Sequence, residues 1–483
     1  MVTLKVQRWL EVEAKRFVEE VNNGNISILE NTSKIIEEIE KKNKEFHHFN
    51  FFDKKLVLAQ AEKLEKESSK EKKGKKGKLL GVPISVKDCV CVKGIHSRAG
   101  AKILEGYIPF FDATVIKKLK SEGAIILGKT AQDEFGFGTF SVNHTAGEIP
   151  LHPLDKERSC GGSSGGAAGF ASLTKNTHIA VAESTGGSIA CPASFCGCAS
   201  ITPTYGLVSR YGLMDYASSL DKIGSIGKTI SDVNLILEVM SGKDEKDSTS
   251  LDKIDFTNTN SEKIKIGLPK ELFEVIEDEE IKKIVRKKIE KAESFGAEVI
   301  EVSLPLNVNY GVSVYYLIAM AEASTNLAKF VGMRYGYSEK LEGHFDDYFT
   351  SIRSNAFGEE AKRRIMIGTF ARMSGFRDAY YLRAMKARTK LINEYKKVFS
   401  QVDFLGLPAM PVISPKFSEI EKLTPMQNYA MDLCTVAPNL CGMPHSTLNA
   451  GAMNDLPVGL MLVGNHLSDA KLLSFSNKLE LAK

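Results

Sequence analysis

Three short stretches carry residue types that could do covalent chemistry. Cys160-Gly-Gly-Ser-Ser-Gly-Gly166 sets two serines among four glycines, a loop whose backbone can approach a ligand closely. Taken alone it fits a phosphate cradle, a flexible linker or a loop presenting a serine hydroxyl. The cradle lacks the Gly-Lys-Ser/Thr ending that opens a helix, and a linker would fall inside an apolar region. Ser184-Thr-Gly-Gly-Ser-Ile-Ala-Cys-Pro192 places two glycines directly before Ser188. Such a turn can aim backbone N–H groups at one point, as an oxyanion hole around a nucleophile requires. Leu80-Gly-Val-Pro-Ile-Ser-Val86 is an apolar run followed by Lys87-Asp88. A lysine ending a buried strand is either ion-paired or neutralised by desolvation, and a neutral lysine is a competent general base near neutral pH. Each feature alone is ordinary, a turn or a structural ion pair. Together, in this order, they suggest a serine nucleophile served by a lysine.

The elements that must hold these residues alternate in period. Residues 1–70 read as helical, with apolar positions recurring through Ile26-Ser-Ile-Leu29 and Ile35-Ile-Glu-Glu-Ile39. The lysine-rich run Ser68 to Lys78 is either an RNA-binding patch or a solvated loop; Glu71 and the lack of interleaved aromatics favour the loop. From Leu79 the chain turns rich in Gly, Ser, Ala and short apolar runs. Asp112 to Gly123 reads as a capped helix stopped by glycine, and Ala124-Ile-Ile-Leu127 as a buried strand. The same grammar returns in the amphipathic run from Glu280, the stop at Gly296 and the strand from Val299. Helix, glycine, strand, twice over, argues for an α/β layered fold. Tyr315 to Leu327 and Arg383 to Val398 are the clearest later helices, and Phe404-Leu-Gly-Leu407 and Val458 to Val463 the later strands. The domain expectation is a helical segment over 1–78 and one domain over 79–475, then a tail over 476–483. Within the domain, 79–240 form the catalytic core, 241–263 a surface crossing and 310–400 a mainly helical substrate or partner lobe.

Composition excludes several classes. The chain has 483 residues, and 64 Lys+Arg against 60 Asp+Glu leave a formal charge of +4, too little to hold nucleic acid by bulk charge. No apolar run reaches the ~18–20 residues of a membrane span, and the first residues show no signal-type apolar region. Eight cysteines in such a length make no disulfide scaffold, so a reducing cytoplasm is expected. Cys196-Gly-Cys198 and Cys89-Val-Cys91 lack structural zinc spacing, and the nine histidines show no metal-binding pattern; buried thiols and no metal are expected.

Gly81-Val-Pro-Ile-Ser-Val-Lys-Asp88, Cys160 to Gly166 and Ser184 to Ile189 resemble the amidase-signature family, Ser-Ser-Lys hydrolases of carboxamides. Asp112-Ala-Thr-Val115, Gly128 to Phe135, Pro203 to Leu213 and Ser218-Ser-Leu-Asp-Lys-Ile-Gly224 agree, so the resemblance covers about residues 30 to 475. Within the family, Glu322 to Leu327, Arg334-Tyr-Gly-Tyr337, Lys362 to Phe370, Asp378-Ala-Tyr-Tyr381 and Met431 to Pro444 are similar to the A subunits of the glutamyl-tRNA(Gln) and aspartyl-tRNA(Asn) amidotransferases. The resemblance implies an α/β fold with a large mixed central sheet flanked by helices on both faces. It implies Ser188 as nucleophile, Ser163 as relay and Lys87 as base, with backbone N–H groups at Thr185, Gly186 and Gly187 holding the oxyanion. It implies Arg364 and Asp432 gripping the α-carboxylate and α-ammonium of glutamine, with Tyr315 lining the pocket. No cofactor is expected on this chain. The resemblance implies a heterotrimer with B and C subunits. ATP and Mg²⁺ would belong to the B subunit, which would bind the mischarged tRNA, and the small C subunit would join the other two. The rival functions are a stand-alone amidase on a small carboxamide and a non-catalytic scaffold that keeps the fold.

The sequence departs from the family around Ser188, where the usual pattern is Ser-Asp-Thr-Gly-Gly-Ser-Ile-Arg. The aspartate position holds Ser184, the arginine position Ala190, and Thr202 stands where a lysine usually precedes Pro203. Their joint absence is what losing a whole ion-pair network would leave, since removing one partner would strand a buried charge. The expected consequence is a less rigid turn and a slower reaction.

Overall fold

The computed structural model describes residues 13–70, 77–257, 259 and 263–482. Eleven runs pair there into one mixed sheet. They are β1 (Phe49–Phe52), β2 (Pro83–Lys87), β3 (Ile125–Thr130), β4 (Ile179–Ser184), β5 (Ala199–Thr202), β6 (Lys222–Gly227), β7 (Lys265–Pro269), β8 (Glu298–Val302), β9 (Phe404–Pro408), β10 (His445–Met453) and β11 (Leu456–Gly464). The strand order is β1-β3-β2-β4-β6-β5-β10-β11-β9-β7-β8. The two helix-glycine-strand units read from the sequence become its two parallel blocks. The helix Thr114–Ser121 ends before Gly123, at φ 85°, and leads into β3 beside parallel β2. The helix Glu279–Glu290 and a following 3₁₀ turn end at Gly296, φ 91°, and lead into β8 beside parallel β7. Antiparallel β6, β5, β10 and β11 join the blocks.

Successive side chains of a strand face opposite ways, and β4 shows what covers each face. Ala180 and Ala182 pack in a small-residue cluster with Ala167, Ala168 and Ala171 of the helix Gly165–Leu173 and Ala193 of the helix Ala190–Cys196. Ile179 and Val181 join the main core, with Val233, Ile236 and Leu237 of the helix Ile230–Met240. Helices therefore lie on both faces, as the fold class requires. Beyond β8, the helices Pro305–Asn326, Phe345–Ala356, Glu359–Arg372 and Arg383–Val398 form the helical region expected over 310–400. The first and third cross so tightly at Gly368 that a Cβ there would lie 1.8 Å from the Met320 carbonyl oxygen.

Three readings need correction. Residues 1–70 are not wholly helical: after the helix Ile28–Phe46, His47 takes a left-handed conformation and the aromatic run Phe49–Phe52 becomes the sheet edge β1, antiparallel to β3. Aromatic residues suit a half-buried pleated strand, and Phe49 packs edge-on against Phe170 at 4.9 Å. Phe17, Ile28, Ile35 and Ile39 share the main core, so this segment is built into the same body. Asp112 does not cap its helix; its Oδ1 accepts from the Lys93 N–H at 2.8 Å and from Lys120 Nζ at 3.0 Å. Residues 476–481, expected as part of a tail over 476–483, continue the helix Asp469–Leu481, with Leu479 buried. Residues 71–76 of the lysine-rich run, residues 258 and 260–262 of the surface crossing and residue 483 of the tail lie outside the described residues, as do 1–12.

Candidate active site

Lys87 ends β2, and Glu183 is the penultimate residue of the parallel neighbour β4. Their side chains meet at the carboxyl edge of these strands, the edge where open α/β sheets hold ligands. Lys87 is fully buried and spends all three ammonium donors: on Ser163 Oγ at 2.8 Å, the Glu183 carbonyl at 2.9 Å and Glu183 Oε2 at 2.9 Å.

Ser163 sits in a loop tied down on both sides. Gly161 N–H donates to Ser159 Oγ at 2.8 Å, Ser141 Oγ to the Gly161 carbonyl at 2.9 Å, and Asp133 N–H to the Ser163 carbonyl at 3.3 Å. The Asp133 carboxylate beneath accepts the N–H groups of Ser141 and Asn143, each at 2.9 Å. Burial nevertheless pushes Asp133 up to about 6.

Ser188 closes the turn between β4 and the helix Ala190–Cys196. Its carbonyl accepts the Ser164 N–H at 3.3 Å, which joins the two serine loops. Thr435 and Tyr315 press on the turn from outside. A Cβ on Gly187 would lie 2.5 Å from Thr435 Oγ1, and one on Gly186 2.9 Å from the Tyr315 hydroxyl, so only glycine fits. Among the described residues, no protein acceptor takes the backbone N–H of Thr185, Gly186 or Gly187, which leaves these donors available to a ligand oxygen. Asn439 Nδ2 anchors the turn, donating to the carbonyls of Thr185 and, at 3.1 Å, Leu220.

Beside this turn lies a pair of opposed charges. Arg364 of the helix Glu359–Arg372 donates through Nε to Glu360 Oε1 at 2.8 Å and through one terminal nitrogen to the Tyr216 hydroxyl at 2.7 Å. The rings of Phe137, Tyr216, Tyr316 and Tyr429 surround its guanidinium at 5.1–5.6 Å, a cation–π cage. Asp432 accepts from the Tyr316 hydroxyl at 2.6 Å and from Thr139 Oγ1 at 3.2 Å. Burial pushes it up to about 6, opposed by the Tyr316 bond and the Arg364 charge. Tyr315 stacks edge-on against Tyr316 at 4.9 Å and so links Gly186 to the ring that serves Asp432. Lys87, Ser163, Ser188, the Thr185–Gly187 turn, Tyr315, Arg364 and Asp432 thus form one continuous site.

Sequence reasoning missed Glu183, Asp133, Tyr216, Tyr316 and Glu360. Glu183 had a signal, a carboxylate one position upstream of the family's aspartate; the others come from separate segments joined only by folding. The charge loss at Ser184, Ala190 and Thr202 is also incomplete as a description. Ser184 Oγ bonds the Gly186 carbonyl at 3.0 Å, across the turn itself. Opposite Ser184 in the β4–β6 register, buried Lys222 donates to the Met443 carbonyl at 2.7 Å, and burial brings it down to about 7. The turn keeps a brace, and buried titratable side chains persist at Glu183 and Lys222. All eight cysteines are free and buried, with burial pushing Cys191, Cys196 and Cys198 well above the ordinary thiol range. Such thiols are inert packing groups.

The amidase family model matches residues 30–473. The glutamyl-tRNA(Gln) amidotransferase A subunit 2 of Clostridium acetobutylicum is 46% identical over 414 residues, 84% of this chain and 86% of that one. The glutamyl-tRNA(Gln) amidotransferase A subunit of Fusobacterium nucleatum is 40% identical over 97% of this chain and 96% of its own. The crystal structure of the glutamyl-tRNA(Gln) amidotransferase A subunit from Thermotoga maritima superposes with a TM-score of 0.74 at 34% identity, covering 92% of this chain and 89% of that one.

Proposed function

The chain belongs to the amidase family, and from that premise we propose that it is the glutaminase subunit of a tRNA-dependent amidotransferase. The observation that carries this reading is the pair of fixed opposite charges, Arg364 and Asp432, sharing Tyr316 beside the Ser188 turn. A simple carboxamide has no use for both, whereas the zwitterionic end of glutamine needs one cation and one anion. Arginine offers a carboxylate its planar fork.

In this mechanism Ser188 Oγ attacks the side-chain amide carbon of glutamine. Its proton passes to Ser163 Oγ as Ser163 gives its own to Lys87 Nζ, 2.8 Å away, a step that runs from the free amine of Lys87 and leaves the ammonium. The oxyanion takes the N–H groups of Thr185, Gly186 and Gly187; one such donor is typically worth ~3 kcal/mol in the transition state. Lys87 returns the proton through Ser163 to the leaving nitrogen, and ammonia departs. Water, activated by the same relay, hydrolyses the glutamyl ester and frees Ser188.

That the relatives are named A subunits supports partners here. A B subunit would bind the mischarged tRNA and use ATP and Mg²⁺ to activate its Glu or Asp carboxyl, and a small C subunit would complete the heterotrimer. Ammonia made here would convert Glu-tRNA(Gln), Asp-tRNA(Asn) or both, in the cytoplasm. No helix among the described residues is long and apolar enough to cross a membrane.

The test is ammonia release from glutamine by the chain alone, with the B and C partners, and with charged tRNA and ATP added. A neutral amide lacking the α-carboxylate serves as competing substrate. The expected result is Ser188-dependent release that favours glutamine. Equal turnover of the neutral amide would make it a stand-alone amidase, and no release in any assembly a scaffold.

A further inference from the structure

The usual family pattern puts serine at position 183 and the carboxylate at 184. Here the carboxylate is at 183 and the hydroxyl at 184. A one-residue shift along a strand turns a side chain to the other face. Glu183 Oε2 therefore meets Lys87 Nζ at 2.9 Å, with both side chains buried, while Ser184 bonds within its own turn. A Cβ on Gly136 would touch both Ser163 Oγ at 3.4 Å and Glu183 Oε2 at 3.5 Å, so the carboxylate also borders the relay serine.

The other oxygen of Glu183 is engaged as well. Thr185 Oγ1 lies 2.9 Å from Glu183 Oε1 and 2.8 Å from Asp221 Oδ1. A hydroxyl has one proton to donate, so both contacts are satisfied only when one carboxyl is protonated. Burial and the neighbouring Glu183 charge push Asp221 well above the usual carboxylate range. The other titratable groups around the pair are Cys89 and Lys129 on the β2–β3 side, Asp133 under the Ser163 loop, Asp215 beside Asp221, and Tyr216 next to Gly136.

We propose that Glu183 is a positioning residue of this centre: it holds Lys87 as the ammonium in the resting site, aims Nζ at Ser163 and sets the pH at which the relay becomes available. The kinetic consequence rests on the Ser-Ser-Lys glutaminase reading; the charge state of Lys87 does not. The relay needs the free amine. A carboxylate at contact distance stabilises the ammonium, so more alkaline solution is required to release it. Lowering pH through that limb charges Lys87 and removes the base. Removing Glu183 moves the limb to lower pH by at least about one unit, the usual effect of an opposite charge within contact range. That is roughly a tenfold larger fraction of free amine at any pH on the limb.

The experiment uses the full chain assembled with its partners, and the chain alone for spectroscopy. Ammonia release from glutamine is followed from about pH 5.5 to 10, the span of the limb sought, for wild type, Glu183→Gln and Glu183→Ser, with Ser188→Ala as blank. In parallel, ¹³Cε-lysine NMR follows the Lys87 resonance, assigned by its loss in Lys87→Arg. The expected results are an ammonium-type resonance in wild type at neutral pH and a limb and resonance that both move down by at least about one unit in the variants. A wild-type resonance already at the free-amine position at neutral pH overturns the proposal even where no variant folds. So does a titration that Glu183→Gln leaves in place. Absence of Ser188-dependent hydrolysis in wild type overturns the glutaminase reading instead, and the resonance still decides the role of Glu183.

Discussion

Asp432 answers to pH in a way that separates it from Lys87. Burial holds its carboxyl up to about 6, so it is ionised above that pH and neutral below. Only the ionised form can hold the α-ammonium of glutamine. As pH falls through about 6, kcat/KM for glutamine should therefore drop, about tenfold per unit well below it, because kcat/KM reports the free enzyme. A neutral amide without the α-ammonium should show no limb at that pH, and Asp432→Asn should remove it for glutamine while raising KM at neutral pH. Initial rates at limiting substrate check this; the same limb with both substrates would assign it elsewhere. Ser163 and Ser188 were legible because they lie in loops whose glycine content betrays them, and Lys87 because it ends an apolar strand. Arg364 and Asp432 were legible only through family resemblance. Tyr216, Tyr316 and Glu360 were not, because an aromatic or acidic side chain looks the same in a sequence whether it faces an arginine or the core.

The elements that carry the pocket were read better than their contacts. The helix Arg383–Val398 falls where the apolar spacing put it, whereas β1 escaped because four aromatic-rich residues between two helices are too short to show a period. What no pattern shows is how closely two helices cross. Arg364 and Gly368 are one turn apart on the helix Glu359–Arg372, and Gly368 is the point of contact with the helix that carries Tyr315 and Tyr316. Gly368→Ala must push the two helices apart, since the obstructing atom is a backbone carbonyl. Overpacking of this kind typically costs about 1–3 kcal/mol. The variant should unfold at lower temperature and, because Arg364 rides on the displaced helix, raise KM for glutamine more than it lowers kcat. Calorimetry with steady-state kinetics measures both. An unchanged KM in a folded, destabilised variant would mean the crossing does not position Arg364.

At the scale of the whole molecule, the sheet gathers distant parts of the sequence around one small site: Lys87 ends one parallel strand, Ser188 follows the next, and Asp432 lies just ahead of β10 in the antiparallel centre. The sequence's two α/β units foretold the parallel blocks. The order of the strands between them depends on long-range pairing that local patterns do not encode. With a formal charge of +4, the chain has little general attraction for tRNA, which fits a division of labour in which another subunit holds the acceptor. That division has a sharp consequence. If glutamine hydrolysis is confined to this chain and carboxyl activation to its partner, one atom here can abolish the first and spare the second. Ser188→Ala should reduce glutamine-dependent amidation of Glu-tRNA(Gln) by at least roughly 10³-fold, as loss of a serine nucleophile does elsewhere. Amidation driven by added ammonium should stay near the wild-type rate. Both rates can be read from the same assembled complex by separating aminoacyl-tRNA products. If the two activities fall together, the turn that Thr435, Tyr315 and Asn439 brace serves the assembly rather than the chemistry, and Ser188 is a structural residue.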